Sequence, residues 1–306
     1  MPTRSRDDGY FPRDRSVLRR VQEERAVGML YGQRALLIGA LQPLNYLGTV
    51  SHDLGNRLPY QRLAHTGKIF ETVFFGTRAE ADRVLRYTAA VHTGVRGGIP
   101  EAAGPWPAGA AYSATDPALM LWTIACMADS ALALHEALVR RLSDDEREGL
   151  WSDYLRFGEL FEMPRAAAPA TFAGFREYWR ERLGSAELFL VDHARRFAPK
   201  VSFELPLPTA LQPGYAMLNL LMLGTVPAAV RRRYGLGWSP AHELVFRSLA
   251  AALRNGRIAL PGGVRRGGNT GLFDLIIRTE REQVRQGRGP LPIIVSSPGN
   301  APVTPG

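Results

Sequence analysis

Apolar and polar residues follow one another along much of the chain with the spacing of amphipathic helices. Arg62, Thr66, Ile69 and Val73, for example, recur at i, i+4, i+7 and i+11 and so share one helical face. The one β-like segment, V-S-F-E-L-P-L-P at 201–208, is too short and too rich in proline to build a sheet. The pattern therefore predicts an all-α fold, a single multi-helix domain.

Capping residues locate several helix boundaries. Thr77 and Glu80 form the capping-box pattern T-R-A-E. Asp116 before Pro117 is a strong start for a long apolar helix, and S-D-D-E at 143–146 caps the helix after it. The predicted helices span about 16–43, with Pro43 ending or kinking the first, then 60–75, 77–94, 116–141, 143–162, 171–182, 186–197, 215–223, 227–234, 239–254 and 272–286.

No internal repeat or clear linker divides the chain. Residues 1–16 are charged and hold two prolines, which predicts a loosely held arm. Residues 287–306 are rich in glycine and proline, which predicts a disordered tail. The domain is therefore expected to span 17–286, with the segment at 52–59 as a connector between helices.

Composition and charge narrow the function classes. Of 306 residues, 45% are hydrophobic and 22% charged, which is ordinary globular composition. The net charge of +9 raises nucleic acid as a partner, but the basic residues are spread along the chain, often next to acids, and no aromatic-basic motif accompanies them. Binding through the R-R-R run at 231–233 remains a weaker alternative. The chain shows no signal-peptide pattern, and its longest apolar run is short of the roughly 20 residues of a membrane span, so a cytoplasmic location is expected.

Familiar catalytic motifs are missing from the sequence. It contains no G-x-S-x-G, P-loop, H-E-x-x-H or paired-cysteine motif, and its single cysteine, Cys126, excludes an internal disulfide. None of the six histidines forms an i, i+3 or i, i+4 pair. The chemistry therefore depends on single residues that the fold brings together.

His92 is the sharpest of these single residues, because it lies on the apolar stripe of its predicted helix. One interpretation is a core histidine that donates to a backbone carbonyl; the other is an axial haem ligand. Arg62 and Thr66 also have two interpretations. They are either a core arginine paired with an acid and a threonine bonded back to its own helix, or polar groups that contact a bound ligand. Asp129, on a face with Trp122, interrupts an apolar helix and needs a partner, for which Arg62 and His92 are the candidates.

A series of motifs resembles one known family. R-L-A-H-T at 62–66, F-F-G-T-R-A-E-A-D at 74–82, V-H-T-G-V-R-G at 91–97 and Y-S-A-T-D-P-A-L-M-L-W at 112–122 occur in the order of the MpaB/rubber-oxygenase family. L-S-D-D-E-R-E at 142–148 and V-P-A-A-V-R-R-R-Y-G-L-G-W-S at 226–239 agree with it. The resemblance covers about residues 20–260.

The resemblance implies an all-α b-type haem protein that oxidises apolar substrates with dioxygen. By this resemblance His92 matches the proximal iron ligand, and Arg62 and Thr66 match a polar pair on the distal side. His65 falls where the rubber-cleaving members carry a lysine that can occupy the sixth iron position. Asp129 and Trp122 are expected beside the haem.

Two positions depart from the family pattern. Many small bacterial members read W-V-H-A-T where this chain has W-T-I-A-C, so Ile124 replaces a histidine. The segment at 41–49, L-Q-P-L-N-Y-L-G-T, also differs from the commoner L-Q-x-x-H-P. Cleavage of an alkene could therefore have given way to another haem-dependent oxidation.

The sequence supports a leading hypothesis and an alternative. The leading one is a haem b oxygenase that oxidises or cleaves a C=C bond of an isoprenoid or polyketide-like small molecule, packed against Trp122, Met120 and Phe70. The alternative is a non-catalytic helical protein that binds a lipid-like ligand in the same cavity. Neither the substrate nor the oligomeric state follows from the sequence.

Overall fold

The capping signals of the sequence begin helices in the structure, a computed structural model that describes residues 9–52 and 58–288. Thr77 and Glu80 form the reciprocal pair of a capping box, and Ser143 forms the same pair with Glu146. The Asp116 side chain accepts hydrogen bonds from the first free N–H groups of the helix that Pro117 begins. These three starts were predicted from local sequence and are confirmed, because each cap satisfies N–H groups that the helix itself leaves unpaired.

The fold is all-α. The helices are α1 (Val17–Glu23), α2 (Arg25–Gly28), α3 (Tyr31–Gly39), α4 (Pro43–Ser51), α5 (Pro59–Phe75), α6 (Arg78–Gly94), α7 (Pro117–Leu138), α8 (Asp144–Leu160), α9 (Phe172–Gly184), α10 (Asp192–Phe203), α11 (Gln212–Thr225), α12 (Ala228–Tyr234), α13 (Pro240–Gly256), α14 (Gly262–Arg265) and α15 (Thr270–Arg285). Within the described residues, β1 (Arg96–Gly98) and β2 (Ala111–Ser113) form one small antiparallel hairpin between α6 and α7.

Helix α7 lies at the centre of the core. Most of its side chains are buried, and it packs against α3, α8 and α13. Trp122 stacks on Trp179 with ring centroids 5.5 Å apart. By length and composition α7 could cross a membrane, and the bent pair 209–225 with 228–234 passes the same test; yet 72% of the apolar window of α7 is buried inside the protein. Burial in its own fold explains the apolar composition of α7.

The N-terminal region differs from the prediction. The single helix expected from residue 16 to 43 is broken into α1, α2 and α3, and Pro43 begins α4 instead of ending its predecessor. Glu24 is extended at the first break, and its buried carboxylate pairs with Arg257 at 2.7 Å and Arg266 at 3.2 Å. In the arm at 9–16, Phe11 is buried against Phe74, whereas residues 13–15 are exposed. Residues 1–8 lie outside the described residues.

Two predictions nearer the C-terminus also need correction. The helix expected at 186–197 begins only at Asp192, and the β-like residues 201–203 belong to its last turn. Ala194, Ala198 and Val201 form the buried face of α10, so packing outweighs both the local β propensity and the cost of Pro199 within the helix. The expected connector at 52–59 lies partly in 53–57, outside the described residues, and the predicted tail lies outside them from residue 289.

Helix α15 packs along α5 and holds its N-terminus. The Glu280 carboxylate accepts hydrogen bonds from the backbone N–H groups of Tyr60 and Gln61, at 3.1 and 2.7 Å. The Phe273 ring lies so close to Gly67 that an added Cβ would meet it at 2.6 Å. Burial raises the pKa of Glu280 while these two N–H groups lower it. A carboxylate from the end of the chain thus caps the helix that carries Arg62, His65 and Thr66.

We expect Glu280→Ala to destabilise the protein by about 1–3 kcal/mol, because two buried N–H groups at the start of α5 lose their acceptor. Urea unfolding of the variant beside the parent chain measures this loss. Glu282→Ala, on an exposed side of the same helix, is the matched control and should cost less than about 0.5 kcal/mol. Equal losses in the two variants would contradict the capping role.

Candidate functional site

Helices α5 and α6 carry four of the predicted site residues and are joined as a helical hairpin. Each helix has 17 residues, and Gly76 and Thr77 alone connect them. Because such a short link makes packed neighbours antiparallel, the two helices run back along each other from this turn. In an ideal antiparallel hairpin, equal steps from the turn would bring His92 opposite Gln61 and Arg62. Thr66 lies about 6 Å further along α5, at a rise of about 1.5 Å per residue.

The His92 imidazole is half-buried near the C-terminal end of α6. Burial lowers its pKa, and the negative charge of Glu162 opposes that shift. The ring therefore stays neutral near pH 7, and the neutral ring is the form that can bind iron. No hydrogen bond to the ring is formed within the described residues. Within the described residues, the ring therefore does not donate to a backbone carbonyl.

The polar residues of α5 have different surroundings. The Arg62 guanidinium donates to the backbone carbonyl of Thr49 on α4 at 2.9 Å. The Thr66 hydroxyl donates to the Arg62 carbonyl at 3.1 Å, so its proton is used by its own helix and its lone pairs remain outward. His65 is exposed. Arg62 is therefore anchored on α4, whereas Thr66 can only accept a hydrogen bond in this rotamer.

Two large side chains of α6 are exposed. Tyr87 is 50% exposed and Val91 is 46% exposed. A neutral imidazole without a hydrogen bond is the kind of single nitrogen donor that haem iron takes. No group of three or more metal-ligating side chains occurs among the described residues, so any iron there would rely on such a single donor.

Asp129 has a different partner from the predicted one. Its carboxylate pairs with Arg34 at 2.9 Å and with Arg176 at 2.7 Å. Arg34 is 1% exposed and also donates to Ser130 and Thr225. The prediction that Arg62 or His92 would pair with Asp129 is wrong, because the apolar sequence around Asp129 gives no sign of which distant arginine reaches it.

Two further residues of α7 lie in the core. Trp122 is fully buried, and its indole N–H donates to the Gly39 carbonyl at 3.1 Å. Burial raises the pKa of the Cys126 thiol well above its usual range, and the nearby Asp129 carboxylate adds to the shift. Cys126 is thus held as a neutral thiol. The contact of Trp122 and Asp129 with a cofactor remains a prediction.

The arginines at 231–233 are largely engaged within the protein. The Arg231 guanidinium donates to the Val226 carbonyl at 2.7 Å and lies over the Trp238 ring at 4.6 Å. Arg233 donates to the carbonyls of Leu183 and Leu188. Two of the three guanidinium groups therefore bind backbone carbonyls within the protein.

Comparison with known families identifies the family of the chain. Residues 19–255 match the model of the family described as ER-bound oxygenase mpaB/B'/Rubber oxygenase, catalytic domain. The chain therefore belongs to the mpaB/rubber oxygenase family, an oxygenase domain. Helix α15, with its cap on α5, lies beyond the matched residues. A search of curated proteins and a search of solved structures returned no match.

Proposed function

We propose that the chain is a haem b-dependent oxygenase that uses dioxygen to oxidise or cleave a C=C bond of an apolar small molecule, isoprenoid or polyketide-like, in the cytoplasm. The single observation that carries the proposal is the neutral, half-buried His92 ring, which makes no hydrogen bond within the described residues. Membership of an oxygenase family supports the reaction class.

The chain's own residues have distinct tasks in this proposal. His92 would hold the iron through one imidazole nitrogen, and burial keeps that nitrogen free of a proton. When bound, haem supplies the iron at which dioxygen is activated. Arg62 is anchored on the Thr49 carbonyl, so its positive charge is preorganised to stabilise developing negative charge. Thr66 would accept a hydrogen bond, and the exposed His65 would offer a second imidazole from α5.

The substrate would pack on apolar surface beside these groups. Val91 and Tyr87 provide exposed apolar area on α6. Phe70 is only partly buried, in contact with Phe157 and Phe161, and Met120 is partly buried on α7. Excluding water from these side chains by a bound apolar molecule is favourable by about 25 cal/mol for each Å² covered. An apolar substrate therefore suits the surface.

Titration of the purified protein with hemin tests the proposal. Haem ligated by a histidine gives an intense Soret band at a position that differs from that of free hemin, and a one-to-one end point is expected. Reduced, hemin-loaded protein supplied with labelled dioxygen and an isoprenoid alkene should incorporate the label in the product. A protein that leaves the hemin spectrum unchanged would support the alternative of a non-catalytic helical protein with a lipid-like ligand.

A further inference from the structure

A group of large apolar side chains is exposed on α13 and on the residues that follow it. Of the eleven such side chains exposed among the described residues, five fall between positions 244 and 264: Leu244, Val245, Ile258, Leu260 and Val264. Leu244 is 67% exposed and Ile258 is 71% exposed. Apolar residues exposed singly need no explanation, but a group along one element indicates a surface that contacts a partner.

The exposed uncharged residues of α13 lie on one stripe of the helix. Its members recur at i, i+1, i+4, i+7 and i+8: Leu244, Val245, Ser248, Ala251 and Ala252. Ile258 follows Ala251 by seven residues of continuous helical backbone, so it extends the stripe by about two turns. The opposite side of α13 packs into the core through Phe246, Leu249, Ala250 and Leu253. Helix α13 is therefore apolar on two sides, and the described part of the protein covers only one of them.

Arginines border the stripe. Arg247 and Arg254 are exposed and follow Leu244 by three and ten residues, so both lie along one edge of the stripe. The Arg254 guanidinium donates to the Ala137 carbonyl at 2.8 Å and forms no ion pair within the described residues. The stripe, Ile258 and these two arginines together form what we call the α13 surface.

The chain around the α13 surface is strongly positive. Residues 226–270 contain eight arginines and one acid, Glu243. Glu243 pairs with Arg247 at 2.6 Å, and the buried Glu24 pairs with Arg257 and Arg266. Eight arginines against these two carboxylates leave six positive charges, in a chain whose whole net charge is +9. The partner of this surface should therefore be both anionic and apolar.

We propose that the α13 surface docks onto the anionic surface of a lipid bilayer. Leu244 and Ile258 would enter the boundary between headgroups and acyl chains, and Arg247 and Arg254 would lie at the lipid phosphates, as in helices that bind along a membrane interface. Nucleic acid offers phosphates but leaves an aliphatic stripe exposed. A second copy on a two-fold axis would bring the same arginines against one another.

This docking goes beyond the proposed function and does not depend on it. The contact is peripheral and needs no membrane span. Ile258, Leu260 and Val264 lie beyond residues 19–255, which match the family model, so family membership does not assign them a role.

Sedimentation of the purified full chain with lipid vesicles tests the proposal. One set of vesicles is made of phosphatidylcholine alone, and the other contains an equal amount of phosphatidylglycerol. The chain should bind the anionic vesicles at least about tenfold more tightly, since each arginine near the surface adds attraction. Raising the salt from about 0.1 M to about 1 M should weaken this binding, because it shortens the screening length from about 10 Å to about 3 Å.

The double variant Leu244→Ser with Ile258→Ser removes the apolar contact and keeps every charge. It should bind anionic vesicles at least about tenfold more weakly, because two aliphatic side chains no longer leave water. Both side chains are exposed, so the variant should fold as the parent chain does. Val284→Ser is the matched control: Val284 is also exposed, but it lies at the far end of α15. It should keep the parent affinity.

Several outcomes would overturn the proposal. The parent chain could fail to sediment with either vesicle, or bind both compositions equally. Binding that is unchanged in the double variant, or weakened as much by Val284→Ser, would remove the assignment to the α13 surface. A parent chain that light scattering shows to be a dimer, and that becomes a monomer in the double variant, would assign this surface to a second copy instead. None of these measurements requires hemin, so their failure is separate from failure of the oxygenase proposal.

Discussion

His92→Ala should remove the Soret band that hemin produces with the parent protein. The imidazole is the proposed iron ligand on α6. Loss of a residue that merely orients a metal ligand costs ten- to a hundredfold in affinity, so loss of the ligand should cost roughly a hundredfold or more. Hemin titration followed by absorbance measures this. Imidazole added to the variant should restore part of the band if the cavity is otherwise intact.

His242→Gln is the matched control for this prediction. His242 is exposed and completes the capping box of α13 through Ser239, and glutamine keeps that pattern. The control should bind hemin as the parent does. If the spectrum of His92→Ala is unchanged, His92 is not the iron ligand and His65 becomes the candidate, which His65→Ala would then test. A band that is shifted but present in His92→Ala would mean that His65 can hold the iron alone.

Local sequence was sufficient to predict a helix boundary wherever a single capping residue determines that boundary. Thr77, Asp116 and Ser143 begin helices as predicted, because each side chain satisfies N–H groups within three residues of itself. The end of α5 at Gly76 was predicted on the same local grounds. These boundaries place His92 and Arg62 in one hairpin, so the core of the candidate site follows from short-range signals.

The missed elements depend on contacts far apart in sequence. The break at Glu24 is stabilised by Arg257 and Arg266, more than 230 residues later, and no local pattern signals such a pair. Helix α4 was missed for another reason: Pro43 was interpreted as a stop, whereas Gln42 caps the helix and proline is well suited to its first position. That signal was present in the sequence.

The two departures from the family pattern have different structural settings. Ile124 is buried in the core, close to Gly158 of α8. An apolar residue there fills space that a histidine could occupy only with a hydrogen-bond partner. Asn45, in the other departing segment, donates its amide N–H groups to the Leu119 carbonyl and the Thr123 hydroxyl of α7. The first change therefore affects packing in the core, and the second joins α4 to α7.

Asp129→Ala should destabilise the protein by about 3–5 kcal/mol, the usual cost of leaving a buried partner charge uncompensated. Arg34 is 1% exposed and keeps only neutral partners, Ser130 and Thr225, once the carboxylate is removed. Asp129→Asn keeps the shape but not the charge and should show a large part of the same loss. The free energy of unfolding in urea measures both variants.

Arg176→Ala separates the buried pair from the outer one. The Arg176 side chain is 43% exposed, so its salt bridge with Asp129 is screened by water and should contribute about 1 kcal/mol or less. If Arg176→Ala cost as much as Asp129→Ala, the outer arginine would be the essential partner.

The double variant Arg34→Met with Asp129→Leu should recover much of the loss, because removing both buried charges also removes their desolvation penalty. If stability recovers and hemin binding does not change, Asp129 serves the stability of the core. If hemin binding weakens, Asp129 also contributes to the haem site.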